Sequence, residues 1–266
     1  MPAININGVE LSYREYGNAA KPTIVFTHSL IWDGTMFEDL IAQLSQDFHI
    51  INIDQHGHGA SSSYAGLTLE AMAKDYAAML DNLGLEAVHW AGLSLGGMVG
   101  MRLALAYPNK VQSLILMDTS AQPEPAQQRE LYIQLATALR AGQAASVVDA
   151  VLAFFFAPTT FANKKELVEH YRKKLIGYNS IEGIFQAALA VFNRNDISDR
   201  LSEISVPALI IVGEHDIATT VDRSELLAAR IPNAQLVIIK EAGHMSATEQ
   251  PGAVAAAITK FLTKPH

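Results

Sequence analysis

The sequence predicts an α/β protein: a mainly parallel sheet covered by helices on both faces and interrupted by a helical insertion. Three observations carry this. Short apolar, β-rich runs alternate with segments of helical period through residues 1–120, helical spacing alone fills 121–204, and the alternation resumes over 205–266. A chain of 266 residues suits one large domain with an insertion rather than two catalytic domains.

Taken in order, Val9 to Tyr16 alternates like a half-exposed strand, whereas Thr23 to Phe26, Ile50 to Ile53, Ala87 to Ala91 and Leu114 to Met117 read as buried strands. Between them Leu69, Met72, Tyr76, Met79, Leu80 and Leu83 share one face of a helix that Thr68 caps and Gly84 ends. A further helical run extends from Met98 to Tyr107. From Ala121, Pro123 and Pro125 break the chain, and helical spacing continues through Arg140, Glu166 to Lys174 and Ser180 to Phe192. This insertion is expected to sit on the sheet as a lid. Strand patterns return at Pro207 to Val212 and Gln235 to Ile239, and an Ala-rich helix from Gly252 to Leu262 closes the chain.

Composition narrows the function. Hydrophobic residues at 50% and charged residues at 17% describe a folding chain, not a disordered one. Against 27 Asp and Glu, 19 Lys and Arg leave −8, which disfavours nucleic acid and acidic membrane surfaces as partners. With no cysteine, a disulfide framework, a thiolate metal site and a cysteine nucleophile are all excluded. The N-terminus lacks the basic start and apolar stretch of a signal peptide, and the apolar run Ala150 to Ala157 is too short for a membrane span, so a cytoplasmic location is expected. No metal-ligand spacing and no phosphate-cradling G-x-x-x-x-G-K occurs, so neither metal nor cofactor is expected.

The chemistry gathers around Gly92-Leu93-Ser94-Leu95-Gly96, between a buried strand and a helix. G-x-S-x-G at that junction lifts a serine hydroxyl above the sheet on a strained turn, and the flanking glycines allow close backbone approach. Serine needs a base held by a carboxylate. Of nine histidines, His244 follows the last strand and falls over the carboxyl edge of the sheet. Two acids stand at strand ends in the chain order Ser, Asp, His: Asp216 after the Gly213 turn, which is favoured, and Asp118 before the lid. An oxyanion needs preorganised donors, for which the Leu95 N–H and the Leu30 N–H, in His28-Ser29-Leu30, are the candidates. Trp32, Phe154, Phe155, Phe156 and Met245 are candidates to line the substrate pocket, although three consecutive phenylalanines cannot all face one side of a helix. The basic stretch Lys164, Lys165, Arg172, Lys173 and Lys174 reads as a solvated helix face.

Together, His28-Ser29, Asp54-Gln55-His56-Gly57-His58-Gly59, the Ser94 elbow, Gly213-Glu214-His215-Asp216 and Gly243-His244 resemble the α/β-hydrolase fold over essentially the whole chain. Within it the chain looks most like 3-oxoadipate enol-lactonase-like hydrolases and small esterases with a helical cap. The resemblance implies an eight-stranded sheet, a cap after strand 6, and Ser94, Asp216 and His244 as nucleophile, orienting acid and general base. The expected activity is hydrolysis of a small carboxylic ester or lactone through an acyl-enzyme, without cofactor. 3-Oxoadipate enol-lactone hydrolysis, carbon–carbon bond hydrolysis, cofactor-free perhydrolysis, and a ligand receptor with a signalling partner are the alternatives on the same fold. Two departures from the pattern stand out: Ser29 occupies a place where relatives mostly have Gly, and His56 one where they commonly have Arg, which predicts loss of a structural salt bridge.

Overall fold

The computed structural model describes residues 1–177 and 181–264. Eight strands form one sheet in the order β1-β2-β4-β3-β5-β6-β7-β8. β1 (Ala3–Ile6) pairs antiparallel with β2 (Val9–Tyr16), and β2 antiparallel with β4 (His49–Ile53). From β4 onward every pairing is parallel, through β3 (Thr23–Thr27), β5 (Val88–Leu93), β6 (Val111–Met117), β7 (Ala208–Gly213) and β8 (Ala234–Ile239). The central strands are buried along nearly their whole length, which is why they read as unbroken apolar runs rather than alternating ones.

Helices cover the sheet: α1 (Glu38–Leu44), α2 (Leu69–Asn82), α3 (Leu95–Ala106), and, after β7, α9 (Val221–Arg230), the short α10 (Ser246–Glu249) and α11 (Pro251–Leu262). The α2 ends are set locally. The Thr68 hydroxyl accepts from the Ala71 N–H at 3.1 Å, and Gly84, at φ 68°, takes the left-handed turn that stops the helix. Five of its six expected face residues are buried, and Leu83, at the end of the face, is half-buried.

Between β6 and β7 lie five helices, α4 (Ala126–Arg140), α5 (Ala144–Phe155), α6 (Pro158–Asn163), α7 (Lys165–Ile176) and α8 (Glu182–Phe192). The expected helix start at Ser180 lies outside the described residues. This lid is tied to the loop after β3 by partly buried polar contacts. Lys174 on α7 reaches Asp33 at 2.8 Å and Thr35 at 2.7 Å. Although burial pushes the other way, the Lys174 charge and the Thr35 donors hold Asp33 down to about 2. The basic stretch is thus only partly a solvated face, since Arg172 also pairs with Asp149 at 2.6 Å. Among the described residues no helix is long and apolar enough to cross a membrane.

Candidate active site

Ser94 stands between β5 and α3 at φ 53°, a left-handed conformation that a non-glycine residue holds only when its surroundings enforce it. The Ser94 N–H donates to the Met117 carbonyl at 2.9 Å, and its own carbonyl accepts from the Thr119 hydroxyl at 2.7 Å. The glycines permit this crossing. A Cβ at Gly92 would fall 2.2 Å from the Gly96 carbonyl, and one at Gly96 would fall 2.2 Å from the Thr27 carbonyl.

His244 and Asp216 come from the loops after β8 and β7. Gly213 lets those loops touch, since a Cβ there would lie 2.1 Å from the Gly243 carbonyl. The Asp216 carboxylate accepts from His244 Nδ1 at 2.9 Å, from the Thr219 hydroxyl at 2.9 Å, and from the N–H groups of Ala218 and Thr219 at 2.8 and 2.9 Å. Placing the proton on Nδ1 leaves Nε2 as the basic nitrogen. Burial alone would lower the His244 pKa, but the charge and hydrogen bond of Asp216, with Asp118 and Glu249 behind, outweigh it and hold the imidazole above its ordinary value.

Asp118, the other acid candidate, does not bond to His244. Its carboxyl accepts from the Gly213 N–H at 2.8 Å and from the Ser246 N–H and hydroxyl at 3.2 and 2.5 Å, so it joins the two loops that carry Asp216 and His244. Complete burial, then the Asp216 charge, push its pKa well up. Glu249 has a parallel role that sequence reasoning missed. Its buried carboxyl accepts from the Gly243 N–H at 2.8 Å, from the Ala157 N–H of the lid at 2.8 Å, and from the Thr160 hydroxyl at 2.5 Å. A single acidic residue just before Pro251 and an apolar helix was the only signal, and it does not distinguish such a tie from a helix start.

The loop after β3 is held by two histidines. His28 Nδ1 donates to the Ser29 carbonyl at 2.7 Å and Nε2 accepts from the Gln55 N–H at 2.8 Å, while His58 Nδ1 donates to the His56 carbonyl at 2.9 Å and Nε2 accepts from the Ile31 N–H at 3.1 Å. Each imidazole donates from one nitrogen and accepts at the other, which requires the neutral form. Burial lowers both, His58 to about 3. This pair fixes the backbone around Leu30. Leu95 opens α3, where a first-turn N–H has no partner within the helix. At the His56 position the side chain keeps an acidic partner: its Nε2 lies 3.0 Å from the Asp75 carboxylate, within hydrogen-bond distance.

Ser94 and His244 line one cavity of about 850 Å³, its open mouth included, together with Ser29, Leu30, Phe154 and Phe155. Three expected lining residues lie elsewhere. Trp32 packs edge-on against Phe155 and Tyr171, with ring centres 5.5 and 4.8 Å away. Phe156 leaves the helix at its C-terminal end and meets Tyr171 at 5.3 Å, and Met245 is fully buried in the core cluster. Their apolar character reflects packing of lid on core rather than contact with the cavity. The cavity wall also includes Met98 of α3 and residues of α4 and α8. Among the described residues no cluster of three or more His, Asp or Glu side chains could hold a metal ion.

Fold and site together define the class: the chain belongs to the alpha/beta hydrolase fold family, whose model matches residues 22–251. Among characterised relatives it is 30% identical over 246 residues to 3-oxoadipate enol-lactonase 2 of Acinetobacter baylyi, covering 92% of this chain and 90% of that one. Solved structures similar to it include a thermophilic esterase from Thermogutta terrifontis (TM-score 0.90, 31% identity, 98% of this chain and 97% of that one). The enol-lactonase from Burkholderia xenovorans LB400 superposes with TM-score 0.91 at 29% identity over 99% of this chain and 100% of that one.

Proposed function

We propose that this α/β hydrolase is a serine hydrolase that cleaves a small uncharged carboxylic ester or lactone through an acyl-enzyme. The observation that carries the proposal is the Asp216–His244 hydrogen bond of 2.9 Å at the edge of a cavity that also contains Ser94 on its strained turn. Ser94 attacks the carbonyl carbon while His244 Nε2 takes the hydroxyl proton, and the same nitrogen returns it to the leaving alkoxide. Asp216 keeps the proton of the neutral imidazole on Nδ1 and stabilises the imidazolium. The N–H groups of Leu30 and Leu95 receive the oxyanion. Water, deprotonated by His244, then attacks the acyl carbon and frees Ser94.

The lining supports an uncharged substrate. Among the described residues around the cavity there is no Lys or Arg, and its carboxylate, Glu124, is held by both Nη atoms of Arg194 at 2.6 and 2.9 Å. A carboxylate-bearing lactone, the substrate class suggested by the enol-lactonase relatives, finds no free cation there. Turnover of p-nitrophenyl acetate over many cycles per active site is the expected result. One slow cycle ending in a persistent adduct would instead favour a ligand receptor.

A further inference from the structure

Beyond the reacting groups, the cavity continues along a seam in the lid. Helices α4 and α8 run antiparallel there: Tyr132 meets Phe192 at 5.4 Å, and eight residues further along α4 Arg140 pairs with Glu182 at 2.7 Å, near the start of α8. Along α4, Tyr132, Leu135, Ala136 and Leu139 face the cavity at offsets of zero, three, four and seven, and Ile184, Ala188 and Val191 do the same on α8. Seven rises from Tyr132 to Leu139 make a seam about 10 Å long, the extended length of a chain of about eight carbons. At its Leu139 end a second, smaller hollow shares Ile31, Leu139, Ile181 and Ile184 with the main cavity. Those four side chains stand between the two hollows.

We infer that the seam between α4 and α8 receives an extended, unbranched acyl chain of medium length, with Leu139 and Ile184 setting where that chain ends. This rests on the ester-hydrolase reading and names the substrate class for it. The chain belongs to the acyl half because the leaving alkoxide must depart beside His244, and the far hollow touches the loop of Leu30 through Ile31 but no residue of the His244 loop. The seam offers no polar atom between Leu135 and Leu139 on α4 or between Ile184 and Val191 on α8 that lines the cavity, so each methylene placed there leaves water without displacing a hydrogen bond.

The test is a series of p-nitrophenyl esters from acetate to dodecanoate, read as kcat/KM, beside a series of alkyl acetates. In the acyl series kcat/KM rises by up to about fourfold per methylene, the equivalent of about 0.8 kcal/mol, and turns over near octanoate. The alkyl acetates show no comparable rise. Leu139→Ala with Ile184→Ala joins the two hollows and moves the optimum to longer chains. Ala188→Leu fills the seam and moves it to shorter ones. Protection of the wild-type protein from thermal unfolding by uncharged 2-alkanones reads the same length dependence without catalysis. Length-dependent protection with no ester turnover would overturn the esterase reading and leave the seam assignment standing. Ester turnover that is flat across acyl length, or that follows the alcohol chain instead, would overturn the seam assignment.

Discussion

Ser94 illustrates how a single backbone conformation makes one hydroxyl different from every other among the described residues. Its φ of 53° costs on the order of 1–3 kcal/mol and is enforced by the Gly92 and Gly96 approaches and the Met117 hydrogen bond. Removing the hydroxyl leaves those constraints in place, so Ser94→Ala is expected to lose ester turnover by at least about a thousandfold. Its Tm should stay close to wild type, a pairing readable by calorimetry beside a rate assay. The two acids separate by partner. Asp216→Asn disturbs the Nδ1 proton and should cost on the order of 10³–10⁴ in kcat, whereas Asp118→Asn, one bond removed, should cost far less provided the variant is folded; the opposite ranking would move the acid to β6. Because Asp216 holds the His244 pKa above its ordinary value, the acidic limb of kcat/KM should lie above about pH 6.5, activity falling as the pH drops through it. An acidic limb well below that value would mean that burial, not Asp216, governs the imidazole. At this scale position was legible in the sequence: Ser94 falls at the turn between β5 and α3, His244 falls after β8, and both line one cavity. The sequence was mute where apolar side chains could serve packing or cavity equally, which is why Phe154 and Phe155 reached the cavity while Trp32, Phe156 and Met245 did not.

Elements with local signals were readable in advance, and those fixed by neighbours were not. Thr68 and Gly84 mark the ends of α2 in the sequence, and the apolar runs of β3 to β7 follow from burial on both faces. β1 carries Asn5 between isoleucines on an exposed edge, a pattern that does not rise above that of a loop. The polar ties between elements are equally silent in sequence. Glu249→Ala would strip acceptors from the buried N–H groups of Ala157 and Gly243, each costing about 1–3 kcal/mol when left unsatisfied. Denaturant unfolding should show a loss of at least about 2 kcal/mol, and KM should change as the lid loosens from the His244 loop. A variant with wild-type stability would show that the carboxyl is dispensable as a tie.

For the whole molecule, charge and cavity point the same way. The chain carries −8, and the charged group at the cavity wall is neutralised by its own arginine. A neutral ester should therefore be preferred over its carboxylate-bearing analogue, with a ratio that narrows as salt screens the overall repulsion. Preference for the anion, weakened by salt and lost on replacing one lid arginine by alanine, would return the chain to the enol-lactonase reading. The central claim is that Ser94 is acylated and deacylated in each cycle, and rapid-quench mass spectrometry of the protein mixed with excess p-nitrophenyl butyrate tests it most directly. The account predicts a transient butyryl adduct that maps to Ser94, forms within the first turnover and disappears when substrate is exhausted. Sustained turnover with no adduct, or with one mapping to another residue, would contradict it.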